Sequence, residues 1–234
     1  MNFMLFDDGC GRYTLKVKSG DLKKRYNLAT APKEDTESYD VKPGHTLPVI
    51  TAKDDSTPVL EMMRWGLVPS WSKDPKIGYK TFNARDDKVF SSGMWRSIYR
   101  RRVLVPATGY FEWTKPEKIS DKQKYYFRPK KLDIFSFAGF YDVWKDAEGK
   151  EWKTYTLITT EPNKEARAIH DRMPVILHPE DEASWIEPSH TDRSDIEPLL
   201  RPWEDNGIEI VEVSTDTKGL EYDDKTLITP LNSK

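Results

Sequence analysis

Three long runs of β-branched and aromatic residues occupy the middle of the chain and constrain its fold more than any other feature. They cover residues 103–113, 134–141 and 152–160. Such side chains pack well on a pleated surface, so each run predicts a β-strand. Residues 46–51, Pro58–Trp65 and Ile208–Val213 predict further strands, and residues 115–124 predict an exposed hairpin connection.

Short helical patterns interrupt the strands without alternating regularly with them. A βαβ order would indicate a parallel sheet with helices on both faces, and this order is absent from the pattern. We therefore predict an α+β fold, a single domain with a mostly antiparallel sheet and short peripheral helices. The domain is expected over residues 10–214, with a leader at 1–9 and a mobile tail at 215–234. The predicted helices are residues 19–28, 91–99, 162–169, 182–186 and 194–200.

Composition excludes several classes of protein. Aromatic residues make up 12% of the 234 residues, which argues against a disordered chain. No apolar run approaches the length of a membrane span, and no signal peptide is evident, so we expect a soluble cytoplasmic protein without a membrane partner. Residues 73–102 carry nine Lys and Arg against three Asp, although the net charge is −2. This segment is either a polyanion-binding face or an ordinary solvated surface.

Cys10 is the only cysteine, which excludes an internal disulfide and a thiolate metal site. Two interpretations remain, a small buried hydrophobe or a reactive thiol. The four histidines are scattered and show no metal-ligand spacing, so no metal or organic cofactor is implied.

Three further segments, residues 81–85, 102–113 and 169–177, place polar residues inside apolar runs. Glu112 lies between Phe111 and Trp113, so in a strand it points to the opposite face from both. If that face is interior, burial raises the carboxyl pKa and makes a proton shuttle; if not, Glu112 lies in water. His170 is either a helix-terminal residue or a site imidazole, and its side chain is expected to diverge from that of Asp171.

Taken together, the polar segments form a recognisable set of motifs. The chain resembles the SRAP family, the SOS-response-associated peptidase-like proteins that process abasic sites and crosslink to single-stranded DNA. The resemblance covers residues 10 to about 214. Its motifs are CGR at 10–12, RWGLVPSW at 64–71, NAR at 83–85, GYFEW at 109–113, FAGF at 137–140 and IHDRMP at 169–174.

The resemblance implies specific roles for seven residues. Cys10 matches the covalent nucleophile, and the catalytic amide, carboxylate and imidazole fall on Asn83, Glu112 and His170. DNA contacts fall on Arg12, Trp71 and Arg85. The implied activity is capture of abasic sites in single-stranded DNA as a thiazolidine, together with autopeptidase and abasic-site lyase activity. The protein is expected to be a monomer that associates with the nucleoid when it is bound to DNA.

The chain departs from the family pattern at two points. Nine residues precede Cys10, so its nitrogen is an amide that cannot form a Schiff base while Gly9 is attached. There are three alternatives. The leader is removed by self-cleavage at Gly9, its residues reflect a misassigned start, or it is retained and the protein only binds DNA. Asp40 also stands where the family usually has Asn. A non-covalent single-stranded nucleic-acid binding module and a cysteine peptidase using Cys10 and His170 remain alternative functions.

Overall fold

A computed structural model describes residues 10–33, 35–115, 122–215 and 223–231. The predicted leader at 1–9 lies outside these residues. The described helices are α1 (Ser19–Arg25), α2 (Pro179–Ile186) and α3 (Arg193–Ile196), and none within these ranges is long and apolar enough to cross a membrane. The strands are β1 Arg12–Leu15, β2 Ser38–Val41, β3 Thr46–Ala52, β4 Pro58–Trp65, β5 Asn83–Arg85, β6 Arg102–Ala107, β7 Gly109–Trp113, β8 Lys124–Pro129, β9 Phe135–Lys145, β10 Glu151–Thr160, β11 Met173–Pro174, β12 Ile176–Leu177 and β13 Ile208–Val213.

The strands form two sheets. Sheet 1 is antiparallel, in the order β13-β8-β7-β1-β2. In sheet 2, β10, β4, β3, β6 and β9 each pair with two others of the set, so these five strands close into a ring, and β5, β11 and β12 extend it. Only β4 and β5 run parallel to their partner β10 among the described pairs. The predicted α+β single domain with a mostly antiparallel core is confirmed.

A cluster of buried aromatic rings joins the two sheets. Tyr13 of sheet 1 packs against Trp65 and Phe137 of sheet 2, with ring centroids 5.1 and 5.8 Å apart. The Tyr13 and Tyr155 hydroxyls share a hydrogen bond of 2.7 Å. These rings are excluded from solvent and form a packed core beside β1.

The run at residues 103–113 is divided rather than being one strand. It changes sheet at Thr108, with β6 in sheet 2 and β7 in sheet 1. Gly109 permits the change because a Cβ there would lie 2.1 Å from the Tyr126 hydroxyl. This switch places the segment that contains Glu112 next to β1, which no local pattern predicted.

Two other predictions of secondary structure were wrong. Residues 91–99 form consecutive turns rather than a helix, because the Ser92 hydroxyl accepts from the Met94 amide and Gly93 weakens helical propensity. Residues 116–121 of the predicted connection at 115–124 lie outside the described residues, and its last residue, Lys124, begins β8, a strand that the sequence analysis missed.

The described part of the predicted mobile tail, residues 223–231, is packed. Leu227 lies against Phe111 and Val213 in a small second core, and the Ser38 hydroxyl donates to Asp223 at 2.8 Å. The tail therefore covers the outer face of sheet 1, because that face carries apolar side chains that would otherwise meet water.

Candidate active site

Cys10 lies just before β1 and is fully buried. Its Sγ donates to the carbonyl oxygen of Arg12 at 3.2 Å. Burial, and secondly the negative charge of Glu112, raise the pKa of the thiol well above its usual value. The sulfur is therefore held as a neutral thiol in this structure, and a proton acceptor is needed before it can attack a carbon.

Asn83 begins β5 and fixes the backbone of Cys10. Its Nδ2 donates to the Cys10 carbonyl oxygen at 2.8 Å, and β5 is itself held by parallel pairing of Asn83 with Leu157 of β10. Among the described residues, nothing donates to the buried Oδ1 of Asn83. A buried amide oxygen that accepts no hydrogen bond is costly, so the site has an acceptor oriented to receive an N–H or O–H.

Glu112 approaches Cys10 from the neighbouring strand. β7 pairs with β1, Phe111 standing opposite Arg12, so Glu112 is close to the start of β1. The side chain is 4% exposed, and Phe111 and Trp113 pack on the opposite face with the tail. The interior position predicted by strand alternation is therefore confirmed. Its carboxylate influences the Cys10 thiol, as the raised pKa of that thiol indicates.

His170 follows a short 3₁₀ helix, Ala166–Ala168, and its ring is held through Nδ1. That atom is 3.1 Å from the Arg172 backbone nitrogen and 3.2 Å from its carbonyl oxygen, so either ring tautomer has a partner. The side chains of His170 and Asp171 do not diverge as expected, because Nδ1 is 3.4 Å from Asp171 Oδ1. Asp171 also pairs with Lys115 at 2.9 Å, which brings this segment to the end of β7.

Arg172 and Asp86 connect the His170 segment to β5, and the sequence analysis assigned neither a role. An Nη2 atom of Arg172 donates to Asp86 Oδ1 at 2.6 Å, and Thr160 donates to Asp86 Oδ2 at 2.7 Å. The Arg172 side chain is only 7% exposed. An arginine inside the mostly apolar segment at 169–177 was the available clue in the sequence.

The three residues predicted to contact DNA differ in how available they are to a ligand. Arg12 donates to both Asp40 oxygens, at 2.9 and 3.0 Å, and Lys42 pairs with the same carboxylate at 2.7 Å. Arg85 pairs with Asp87 at 3.0 Å on the surface. Trp71 lies in the loop at 66–82 between β4 and β5 and is 59% exposed. The two arginines are thus partly neutralised by neighbouring carboxylates, and Trp71 is open to a ligand.

Tyr110 and Lys124 are two buried polar residues that the sequence analysis did not single out. Among the described residues, nothing pairs with the Tyr110 hydroxyl, and burial, followed by the negative charge of Glu112, raises its pKa. Strand alternation puts Tyr110 on the Glu112 face of β7. Lys124 lies on the opposite face, with its Nζ 4.0 Å from the centroid of the Phe111 ring.

The sequence matches the profile of the family described as SOS response associated peptidase (SRAP) over residues 9–219. The abasic site processing protein YoqW of Bacillus subtilis is 37% identical, and the alignment covers 88% of this chain and 92% of that protein. The abasic site processing protein HMCES of Xenopus tropicalis is 32% identical over 71% of this chain and 58% of that protein.

Solved structures are similar over nearly the whole fold. A crystal structure of a Bacteroides thetaiotaomicron protein superposes with a TM-score of 0.83 at 30% identity, covering 94% of this chain and 99% of that one. A Bordetella bronchiseptica protein at 20% identity has a TM-score of 0.72, which reflects the fold alone. Because the family profile covers most of its length, this chain belongs to the SOS response associated peptidase (SRAP) family.

Proposed function

We propose that this protein captures abasic sites in single-stranded DNA as a covalent thiazolidine at Cys10, after cleavage of the Gly9–Cys10 bond. The observation that carries the proposal is the enclosure of Cys10 by Asn83 and Glu112. A merely structural cysteine does not require a buried carboxylate and a buried amide beside it. The names of the relatives YoqW and HMCES support abasic sites as the substrate.

Cleavage of the Gly9–Cys10 bond is the first chemical step. The Cys10 sulfur attacks the Gly9 carbonyl carbon, the C–N bond breaks, and the nitrogen of Cys10 takes a proton. Water then hydrolyses the resulting thioester, which releases the Gly9 carboxylate and leaves a free amine and thiol on Cys10. Glu112 accepts the thiol proton, a role suited to a carboxylate beside a sulfur whose pKa is raised.

The freed α-amine then reacts with the ring-opened aldehyde of the abasic site. A terminal amine has a pKa near 7.7–8.0, so roughly a tenth is neutral at pH 7, against a far smaller fraction for lysine. The amine adds to the aldehyde, water is lost to give an imine, and the thiol adds to the imine carbon while its proton passes to nitrogen. The Cys10 amine and thiol are held close together, which favours ring closure.

Asn83 and His170 have complementary roles in this scheme. The Asn83 Oδ1 atom, oriented but unpaired among the described residues, accepts from the new Cys10 amine or from a sugar hydroxyl. His170, with its ring fixed by the Arg172 backbone, transfers the protons that open the sugar and remove water from the carbinolamine. Arg12 and Arg85 bind phosphates, and Trp71 stacks beside a neighbouring base.

Intact-protein mass spectrometry tests the proposal directly. The protein is mixed with a single-stranded oligonucleotide that carries one abasic site. We expect loss of residues 1–9 and a gain equal to the oligonucleotide less one water. An oligonucleotide with a tetrahydrofuran in place of the aldehyde is the matched control and should add no mass. Full-length, unmodified protein after complete incubation would contradict the mechanism.

Two variants of Cys10 separate the alternative functions. Cys10→Ala should abolish the adduct while single-stranded DNA is still bound. Cys10→Ser, prepared with residues 1–9 already removed, has a free amine without a thiol, so it tests whether the thiazolidine ring is needed. Adduct formation by Cys10→Ala would place the chemistry on another residue, and cleavage of unrelated proteins that depends on Cys10 would favour a peptidase.

A further inference from the structure

A row of aromatic side chains and one arginine lies on sheet 2 and on the loop at 66–82, and of its members only Trp71 has a role in the proposed chemistry at Cys10. We call it the aromatic row; its members are Trp71, Trp144, Trp152, Arg64 and Tyr79. Tyr79 is 48% exposed and Trp71 is 59% exposed, which makes them two of the most exposed large apolar side chains described. Exposed rings of this size are typical of ligand-binding surfaces.

Side-chain contacts link Trp144 to Tyr79, and a hydrogen bond to the backbone links Trp144 to the loop that carries Trp71. The Trp144 indole donates to the carbonyl of Ser72, the neighbour of Trp71, at 2.7 Å. Trp144 meets Trp152 edge to face, with centroids 5.6 Å apart. The Arg64 guanidinium then lies 5.4 Å from the Trp152 ring and 5.7 Å from the Tyr79 ring. The guanidinium plane therefore continues the row between two aromatic faces.

The loop that carries both exposed rings is held firmly at its ends. Gly66 and Gly78 touch closely, since a Cβ at either would lie within 2.7 Å of the other's carbonyl oxygen. Asp74 accepts from the Lys76 amide at 2.9 Å and caps the 3₁₀ helix Pro75–Tyr79. Tyr79 is consequently presented in a defined position, which lowers the entropic cost of binding.

The charge around the row favours an anionic partner. Lys73, Lys76 and Lys80 lie on the same loop with a single carboxylate, that of Asp74, and all four residues are exposed. Arg64 adds a fifth charged group. Exposed rings interleaved with cations are the elements by which proteins bind single-stranded nucleic acid, because bases stack on the rings and phosphates meet the cations.

The row is also close to the candidate active site. Arg64 is paired with Thr154 of β10, and Asn83 is paired with Leu157, which lies three residues further along the same strand. At about 3.3 Å per residue this separation is about 10 Å along the strand.

We propose that the aromatic row binds the single-stranded DNA that flanks the abasic site, with one base stacked on Tyr79. The inference rests on the proposed function for the identity of its ligand. It extends the binding surface from Arg12, Trp71 and Arg85 to Arg64 and Tyr79. The alternative is that the row only packs the loop at 66–82 against sheet 2. In that case replacing Tyr79 should have no effect on DNA binding.

Fluorescence anisotropy with a labelled deoxythymidine oligonucleotide of about 20 nucleotides, longer than a typical single-strand site, tests this inference. Tyr79→Ala should weaken binding by about tenfold, the effect of losing one base–ring stack. Tyr79→Phe keeps the ring and loses only the Arg64–Tyr79 hydrogen bond of 3.3 Å, so it should bind within about twofold of wild type. Met62→Ala is the matched control, because Met62 is an exposed apolar residue outside the row.

Each outcome of the titration either supports or overturns the inference about the aromatic row. Binding by Tyr79→Ala within twofold of wild type, or an equal loss in Met62→Ala, would overturn the inference, as would a wild-type protein that does not bind. If Tyr79→Ala melts at a much lower temperature, recovery of affinity in Tyr79→Phe and in a Tyr79→Trp variant decides the question. The oligonucleotide has no aldehyde, so failure of the Cys10 chemistry would appear in the mass experiment and leave this titration informative.

Discussion

Replacing Lys124 with methionine should make this protein more stable at neutral pH, despite the loss of a charge near several others. Lys124 is 1% exposed, and its ammonium faces the rings of Phe111 and Trp113. Burial lowers its pKa from 10.5 to about 8, against the opposing attraction of Asp40. Arg12 and Lys42 repel it further, so the protonated form is disfavoured in the folded protein.

The magnitude follows from that change in pKa. At 1.36 kcal/mol per pKa unit, the lowered Lys124 pKa corresponds to a cost in folding stability of about 3.4 kcal/mol. We reduce this cost to about 2 kcal/mol because the Phe111 and Trp113 rings partly stabilise the ammonium. Between about pH 8 and 10.5 the unfolded chain binds more protons than the folded one, so stability rises with pH across that window. The penalty is complete below pH 8. Lys124→Met should therefore raise the melting temperature at pH 7 by about 4–8 °C.

Urea unfolding followed by tryptophan fluorescence, from about pH 6 to about pH 10.5, measures this difference. The gain from Lys124→Met should shrink towards zero at the upper end of the range. Lys130→Met is the control, because Lys130 is exposed just after β8 and should show no such pH dependence. A variant less stable than wild type at pH 7, or an equal gain at both ends of the range, would refute the reasoning.

Three other changes have definite expected results. Asp40→Asn should free Arg12 and tighten binding to single-stranded DNA by about 3- to 10-fold, with a steeper salt dependence in anisotropy titrations; weaker binding would contradict this. Gly139→Ala should lower the free energy of unfolding in urea by about 2–4 kcal/mol, because its Cβ would lie 2.7 Å from a backbone carbonyl oxygen of β10. Gly93→Ala is the control and should change the free energy of unfolding little, because Gly93 has open space around it. Tyr110→Phe removes a buried hydroxyl that has no partner among the described residues, so the variant should gain about 1 kcal/mol of stability. If that hydroxyl assists proton transfer, the variant should also form the adduct about tenfold more slowly in timed mass spectra.

The strands show what local sequence could predict. Pro58–Trp65 and Ile208–Val213 were predicted with the bounds that the structure has, because β-branched and aromatic residues favour extended backbone locally. The position of Glu112 on the face opposite Phe111 and Trp113 follows from the same alternation. Residues 91–99 failed because the hydroxyl of Ser92 competes with helical hydrogen bonds.

The amino-acid sequence by itself determined the α+β class, the β-rich core and the family motifs, since these depend on residue type and order along the chain. Only the tertiary structure decided which residues surround Cys10. The contact between Asn83 and Cys10 spans 73 residues, and the ion pair between Arg172 and Asp86 spans 86. Such pairs depend on strand order and on the change of sheet at Thr108, which are set by the packing of the whole core. The buried environments of Lys124 and Tyr110 have the same origin, because desolvation is a property of the assembled fold and not of any local segment.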